Sequence, residues 1–174
     1  MIHNLDETVY IRVAGGFMVQ VKAKQIVADL IKRLQANQPA TAGASLTPPA
    51  IGQAWPAQGG IYAGVVCGGD SERDYHLIIG PDLGTRTTWV KMQDAAAACE
   101  VDGHKDFILP LRREQSIAYA NVPKLFEKAY YWSAEEYAGD PGCAWFQYFN
   151  TGDQHYSNKG NDYLARAVRR LPMQ

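Results

Sequence analysis

Polar and hydrophobic positions change their period several times along this chain of 174 residues. Residues 8–14 and 17–23 are two β-prone runs on either side of Gly15-Gly16, which predicts a small hairpin. From residue 24 to residue 35 the period lengthens: Ile26, Val27, Leu30, Ile31 and Leu34 recur at helical spacing, while Lys24, Asp29, Lys32 and Arg33 take the other face. Such a stripe needs a surface to cover it. A module this short has little to bury by itself, so the stripe is expected either to join a sister subunit or larger assembly, or to pack on the rest of the chain.

Residues 36–49 are rich in Pro, Ala, Ser, Thr and Gly and have no periodicity, as expected of a linker. This predicts an N-terminal attachment or oligomerisation module over 1–36, a linker over 37–52 and a second domain over 53–174. In that domain, runs 60–67 and 75–79 predict strands joined through the turn-rich segment 68–74. A helix is expected over 88–100, carried by the alanines from Ala95 to Ala98 and ended near Gly103. A second should begin after Pro110, run over 112–120 with Ile117 and Ala118 inward, and stop at Asn121-Val122-Pro123. From residue 129 the pattern becomes short aromatic strands. Turn signals separate them at Gly139-Asp140-Pro141-Gly142, Asn150-Thr151-Gly152-Asp153 and Asn158-Lys159-Gly160-Asn161-Asp162. A hairpin, two helices and then several strands make an α+β domain.

Composition narrows the function. With 47% apolar residues, 20% charged residues and a net charge of -1, the chain is expected to be neither a disordered tail, nor a histone-like nucleic-acid binder, nor a ligand of anionic membranes. No apolar run approaches the roughly 20 residues that span a bilayer. The first residues lack a basic region followed by an apolar stretch, so synthesis in the bacterial cytoplasm without a secretion signal is expected. Cys67, Cys99 and Cys143 are odd in number and widely spaced, which disfavours a disulfide framework or a zinc-binding CxxC pair and predicts buried free thiols.

No catalytic, metal or cofactor set stands out. His3, His76, His104 and His155 show no HxH or HExxH spacing, and Ser133 lacks a Gly-x-Ser-x-Gly elbow. Glu135, Glu136 and Asp140 would resemble a glycosidase pair only if the fold joined two across a cleft; solvated loop charges are the expectation. Asn150, Asp153, Asn158, Asn161 and Asp162 offer oxygens for calcium, but their positions are those of turn formers. Among the basic residues, Arg112 or Arg113 at a helix start should pair with Glu114 or a strand carboxylate, and Arg166, sharing a face with Val168, should form a buried ion pair. A nucleic-acid or glycosaminoglycan patch on these arginines is disfavoured by the near-neutral total.

Binding is the better reading. Tyr137, Trp145, Gln147, Tyr148, His155, Tyr156, Asn158, Asn161 and Tyr163 combine large rigid rings with adaptable amides, the mixture of a ligand-binding face. Half of the aromatics on alternating strands must serve the core. If Phe146 points inward, Trp145 and Gln147 point outward; the opposite phase inverts the list.

The motifs Leu109-Pro110-Leu111-Arg112-Arg113-Glu114, Tyr131-Trp132-Ser133, Ala144-Trp145-Phe146-Gln147-Tyr148-Phe149 and Arg166-Ala167-Val168-Arg169-Arg170 resemble those of a phage and prophage domain family of unassigned activity, also found at the C-terminus of a Legionella collagen-like adhesin. The resemblance covers about residues 60–171 and implies a C-type-lectin-like fold. Leu111 stands where the family often has a Thr able to cap the helix, and Ala134 where Trp-Ser-Ser is usual. Related lectin-like domains are variable ligand-binding scaffolds of phage receptor-binding proteins; formylglycine-generating enzymes share the fold but rely on a cysteine pair that this sequence does not offer. The implied function is a non-enzymatic, phage- or prophage-encoded protein recognising a protein or glycan surface, attached to a virion or oligomerised by its N-terminal module. The alternative is an intracellular interaction protein that inhibits a host defence complex, and a third, weaker reading is an enzyme of unknown chemistry.

Overall fold

The computed structural model describes residues 8–12, 18–22, 47–69 and 73–173, and the chain divides into two compact units, Met1–Ala44 and Ser45–Gln174. In the first unit, the expected hairpin is present: β1 (Thr8–Arg12) pairs antiparallel with β2 (Met18–Lys22), Thr8 opposite Lys22 and Arg12 opposite Met18. The helix expected over 24–35, with Ile26, Val27, Leu30, Ile31 and Leu34, lies outside the described residues.

The second unit is α+β, with two helices and two antiparallel sheets. Strands β3 (Ala54–Trp55), β4 (Gly60–Val66), β5 (Tyr75–Asp82) and the last strand, β9 (Arg166–Pro172), form one sheet in that order. Its centre is apolar on both faces because both are covered. Leu77, Ile78 and Ile79 on β5 are successive in sequence, point to alternate sides and are all at most 1% exposed. On one side Leu77 and Ile79 meet Ala118, Val122, Tyr131 and Phe149; on the other, Ile78 meets Trp55 and Tyr62.

Helix α1 (Trp89–Ala97) buries Trp89, Met92 and Ala96, one face of a helical period, against Leu109, Trp132, Ala144 and Ala165. It stops short of the expected end. After Ala98 the chain reverses through a turn in which Val101 and His104 exchange backbone hydrogen bonds and Gly103 has φ 83°. Helix α2 (Arg112–Asn121) starts and stops as its sequence predicts, but its buried residues are Glu114, Gln115 and Ala118. The inward face is therefore mostly polar, and Ile117 sits only partly buried beside it.

The aromatic segment forms the second sheet: β6 (Tyr130–Glu136), β7 (Cys143–Tyr148) and β8 (Gln154–Asn158), antiparallel, in sequence order. The Asn150-Thr151-Gly152-Asp153 turn joins β7 to β8. Gly152 has φ 88°, and a Cβ there would come within 2.6 Å of the Tyr119 ring, so both the turn and the packing require glycine. One further expectation needs correction. The cysteines are free, but Cys67 is exposed and Cys99 and Cys143 only half-buried, because each lies at a strand end or a turn rather than in a packed layer. No described helix is long and apolar enough to cross a membrane.

Candidate binding face on the aromatic sheet

The site is set by the first turn of α2. Leu111, at the N-cap, has no side-chain acceptor, and the helix start is stabilised instead by Glu114, whose Oε2 accepts from the Leu111 backbone N–H at 2.6 Å. This carboxylate is fully buried and fully engaged. Its Oε1 accepts from the Tyr75 hydroxyl at 2.6 Å and from Arg170 Nε at 2.6 Å, and Oε2 from Arg170 Nη2 at 3.2 Å. Burial, and then the hydrogen bond to Glu114, push the Tyr75 phenol up to about 12. The Arg112 backbone N–H, another unsatisfied donor of the first turn, finds Glu135 Oε1 on β6 at 2.7 Å. Neighbouring strands thus pin the helix start at two points.

From that fixed start, a chain of amides reaches the sheet. Gln154 Nε2 donates to the Arg112 carbonyl at 2.7 Å and to Gln147 Oε1 at 2.8 Å, while Arg112 Nε donates to Gln154 Oε1 at 3.2 Å. Gln147 Nε2 in turn donates to the Gln115 carbonyl, and Gln115 Nε2 to the carbonyls of Tyr131 and Trp132. The result holds the Arg112 guanidinium over the Trp145 ring, 3.5 Å from its centroid.

Beyond Trp145 lies a pair of tyrosines. Tyr156, opposite Trp145 in the β7–β8 register, stacks in parallel on Tyr137, with centroids 3.7 Å apart and planes at 0°. Trp145 meets both edge-on, at 5.6 and 5.7 Å. The neighbouring Tyr156 hydroxyl raises the Tyr137 phenol above its ordinary value. Tyr137 lies across Gly139, where a Cβ would fall 2.7 Å from its ring. Asp140 closes the same turn by accepting from the Gly142 N–H at 2.8 Å and faces Cys143 Sγ at 3.5 Å; burial and then that carboxylate push the Cys143 thiol up. Tyr156 is 44% exposed, Tyr137 and Trp145 half-exposed.

The structure divides the expected binding residues. Tyr137, Trp145 and Tyr156 come together, and Asn158 shares the Tyr156 face of β8, its Oδ1 engaged by the Gly160 N–H. Gln147 is a correction: it is 0% exposed, because α2 covers the face that the outward phase would have left to solvent. Neither strand phase describes β7, since Phe146 on the opposite face is half-exposed as well. His155 and Tyr148 belong to that opposite face, His155 exposed and paired with Phe146. Tyr163 packs on Trp132 at 4.6 Å and on Phe146 at 5.0 Å, and Asn161 Nδ2 bonds Ser157 Oγ within its turn. Both serve structure. Arg112 is the platform residue that periodicity missed; the signal was its place at a helix start before an aromatic strand. On the other face, Tyr130, 40% exposed and in ring contact with Phe146, Tyr148 and Tyr163, was missed as well.

The remaining charged candidates have partners. Arg166 pairs with Asp82 at 3.5 Å and donates to the Gly80 carbonyl, Arg169 pairs with Asp106 and Gln58, and Arg170 with Glu114. Glu136 is bound by Lys159 and Glu135 by the Arg112 N–H, which ties both acids to structural roles. Glu114 is paired with Arg170, which β9 brings to the buried carboxylate. Among the described residues, no three His, Cys, Asp or Glu groups converge to hold a metal. Comparison with models of known families gives no match, and comparison with curated proteins gives none.

Proposed function

We propose that this protein is a non-enzymatic binding protein, phage- or prophage-encoded, whose second unit has a C-type-lectin-like fold and recognises a protein or glycan surface. The observation that carries the reading is the Arg112–Trp145–Tyr156–Tyr137 platform: large rings, partly exposed, held at fixed orientation by buried amides and a buried carboxylate. Rigid aromatic contact area with a polar rim of Asn158 and Asp140 is what a recognition surface needs, because little side-chain entropy is lost on binding. The motif resemblance supports the lectin-like assignment. The N-terminal module attaches the domain to a virion or oligomerises it through Ile26, Val27, Leu30, Ile31 and Leu34.

Labelled full-length protein is expected to bind intact bacteria or an array of surface glycans, and Tyr156→Ala to reduce that binding at least about tenfold, as for the loss of one aromatic anchor. Equal binding by wild type and variant would remove the platform from the function. For the attachment role, mass spectrometry of purified phage particles should detect the protein. A monomeric full-length chain absent from particles would overturn that part.

A further inference from the structure

A concavity beside the α2 start is bordered by Leu111 and Arg170 of the Glu114 network. Its volume is about 320 Å³, and Gln93, Ala97, Ile108, Leu109, Leu111, Ala134 and Arg170 line it. We propose that it binds a small, neutral, largely apolar molecule carrying one oxygen acceptor, such as an amide or ketone.

Small side chains create the space. Ala97 on the last turn of α1 and Ala134 on β6 face each other's elements without filling the gap, while Leu109, 2% exposed, closes the floor. Ile108 is 38% exposed at the rim, an apolar exposure that an apolar ligand would cover. The volume falls at the low end of the roughly 300–1,000 Å³ of small-molecule sites. A ligand of six to ten heavy atoms suits it.

The polar wall determines the class. Arg170 uses Nε and Nη2 on Glu114, which leaves Nη1 with hydrogens to donate and with a fixed position, since Glu114 is itself held by Tyr75 and Leu111. A guanidinium only donates, so the ligand must supply an acceptor. Because the fully buried Glu114 already balances the Arg170 charge, a second anion would meet that carboxylate, and a neutral oxygen meets no such opposition. The Gln93 amide, on the same wall, is able to donate to or accept from the ligand.

Three six-carbon probes, hexanamide, hexanoate and hexylammonium, titrated into the full chain and followed by backbone NMR, distinguish the possibilities. Hexanamide is expected to give saturable shifts at Ile108, Leu109, Leu111 and Ala134 with a Kd below about 10 mM, as fits so small a ligand. Hexanoate should bind several-fold more weakly and hexylammonium not at all. Ala97→Leu, at an exposed helix position that tolerates leucine, should weaken hexanamide at least about tenfold by filling the space. Absence of saturable shifts, equal response to hexylammonium, or unchanged binding in Ala97→Leu would each overturn the proposal.

Discussion

The two faces of the β6–β7–β8 sheet are covered by different chemistry. On one, Gln147, Gln154 and Gln115 join the sheet to α2 through amide hydrogen bonds, with Arg112 laid over Trp145. On the other, Trp132, Phe146 and Tyr163 meet mainly through ring contacts, with centroids between 4.6 and 6.3 Å apart, and join the apolar cluster under α1, with single hydrogen bonds from Trp132 Nε1 to the Thr87 carbonyl and from the Tyr163 hydroxyl to Ser157 Oγ. Ring packing is tolerant of small rotations, whereas a hydrogen-bond chain fixes both distance and direction. The proposed recognition platform lies on the face with the continuous hydrogen-bond chain.

The contrast breaks most severely at Glu114. Glu114→Ala removes a fully buried acceptor of four hydrogen bonds and leaves Arg170 without its carboxylate; urea denaturation should record a loss of about 3 kcal/mol, since Arg170 itself is partly exposed and recovers some hydration. Next comes Gln147→Leu, which keeps the volume but removes one acceptor of the Gln154 amide and one donor to the Gln115 carbonyl, for an expected loss of about 1 kcal/mol. The two faces would then differ in kind if Gln147→Leu also weakens ligand binding, by loosening Arg112, while a comparably destabilising Tyr163→Leu, which removes the ring, does not. If both variants lowered binding in parallel with stability, the polar face would have no special role in orienting the platform.

Alkali tests the same carboxylate centre more gently. The Tyr75 phenol is raised to about 12 in the folded chain, so the folded state favours its protonated form. That stabilisation is complete below the ordinary phenol value of about 10 and is lost as pH rises from there through about 12. Tyr62 and Tyr131, raised by burial, act in the same direction. A stability profile over this window should fall in the wild type and fall less steeply in Tyr75→Phe. Identical slopes would detach Tyr75 from the network. The smallest expected effect on stability is that of Gly139→Ala, below about 1 kcal/mol, because the Tyr137 ring is free to swing away from the new methyl. The ring would nonetheless leave Tyr156, and binding should drop while the fold stands.

Much of the second unit was legible locally. Turn residues at 68–74, the Pro110 and Pro123 boundaries and the aromatic strands each carry their own signal, and β4, β5, α2 and β7 follow them. The site was legible only in part. Period-two alternation states which residues share a strand face, not what covers it, so Trp145 and Gln147 looked equivalent although α2 buries one and leaves the other half-open. The α1 end was overrun because helix propensity in the alanine run says nothing of the reversal at Val101 and His104. Nor does local sequence tell that Arg170 would reach Glu114, since that pair spans 56 residues.

The placement of β9 bears on how the protein is born. Arg169 reaches Gln58 across 111 residues and Arg166 reaches the Gly80 carbonyl across 86, so the central sheet, β5 included, lacks its final neighbour until the end of the unit has been synthesised. A ribosome releasing the chain in order would expose the unpaired edge of β5 for most of that time. Completion of the sheet is thus a late, long-range event, slow by the loop that must close, and the second unit depends on β9 to be folded.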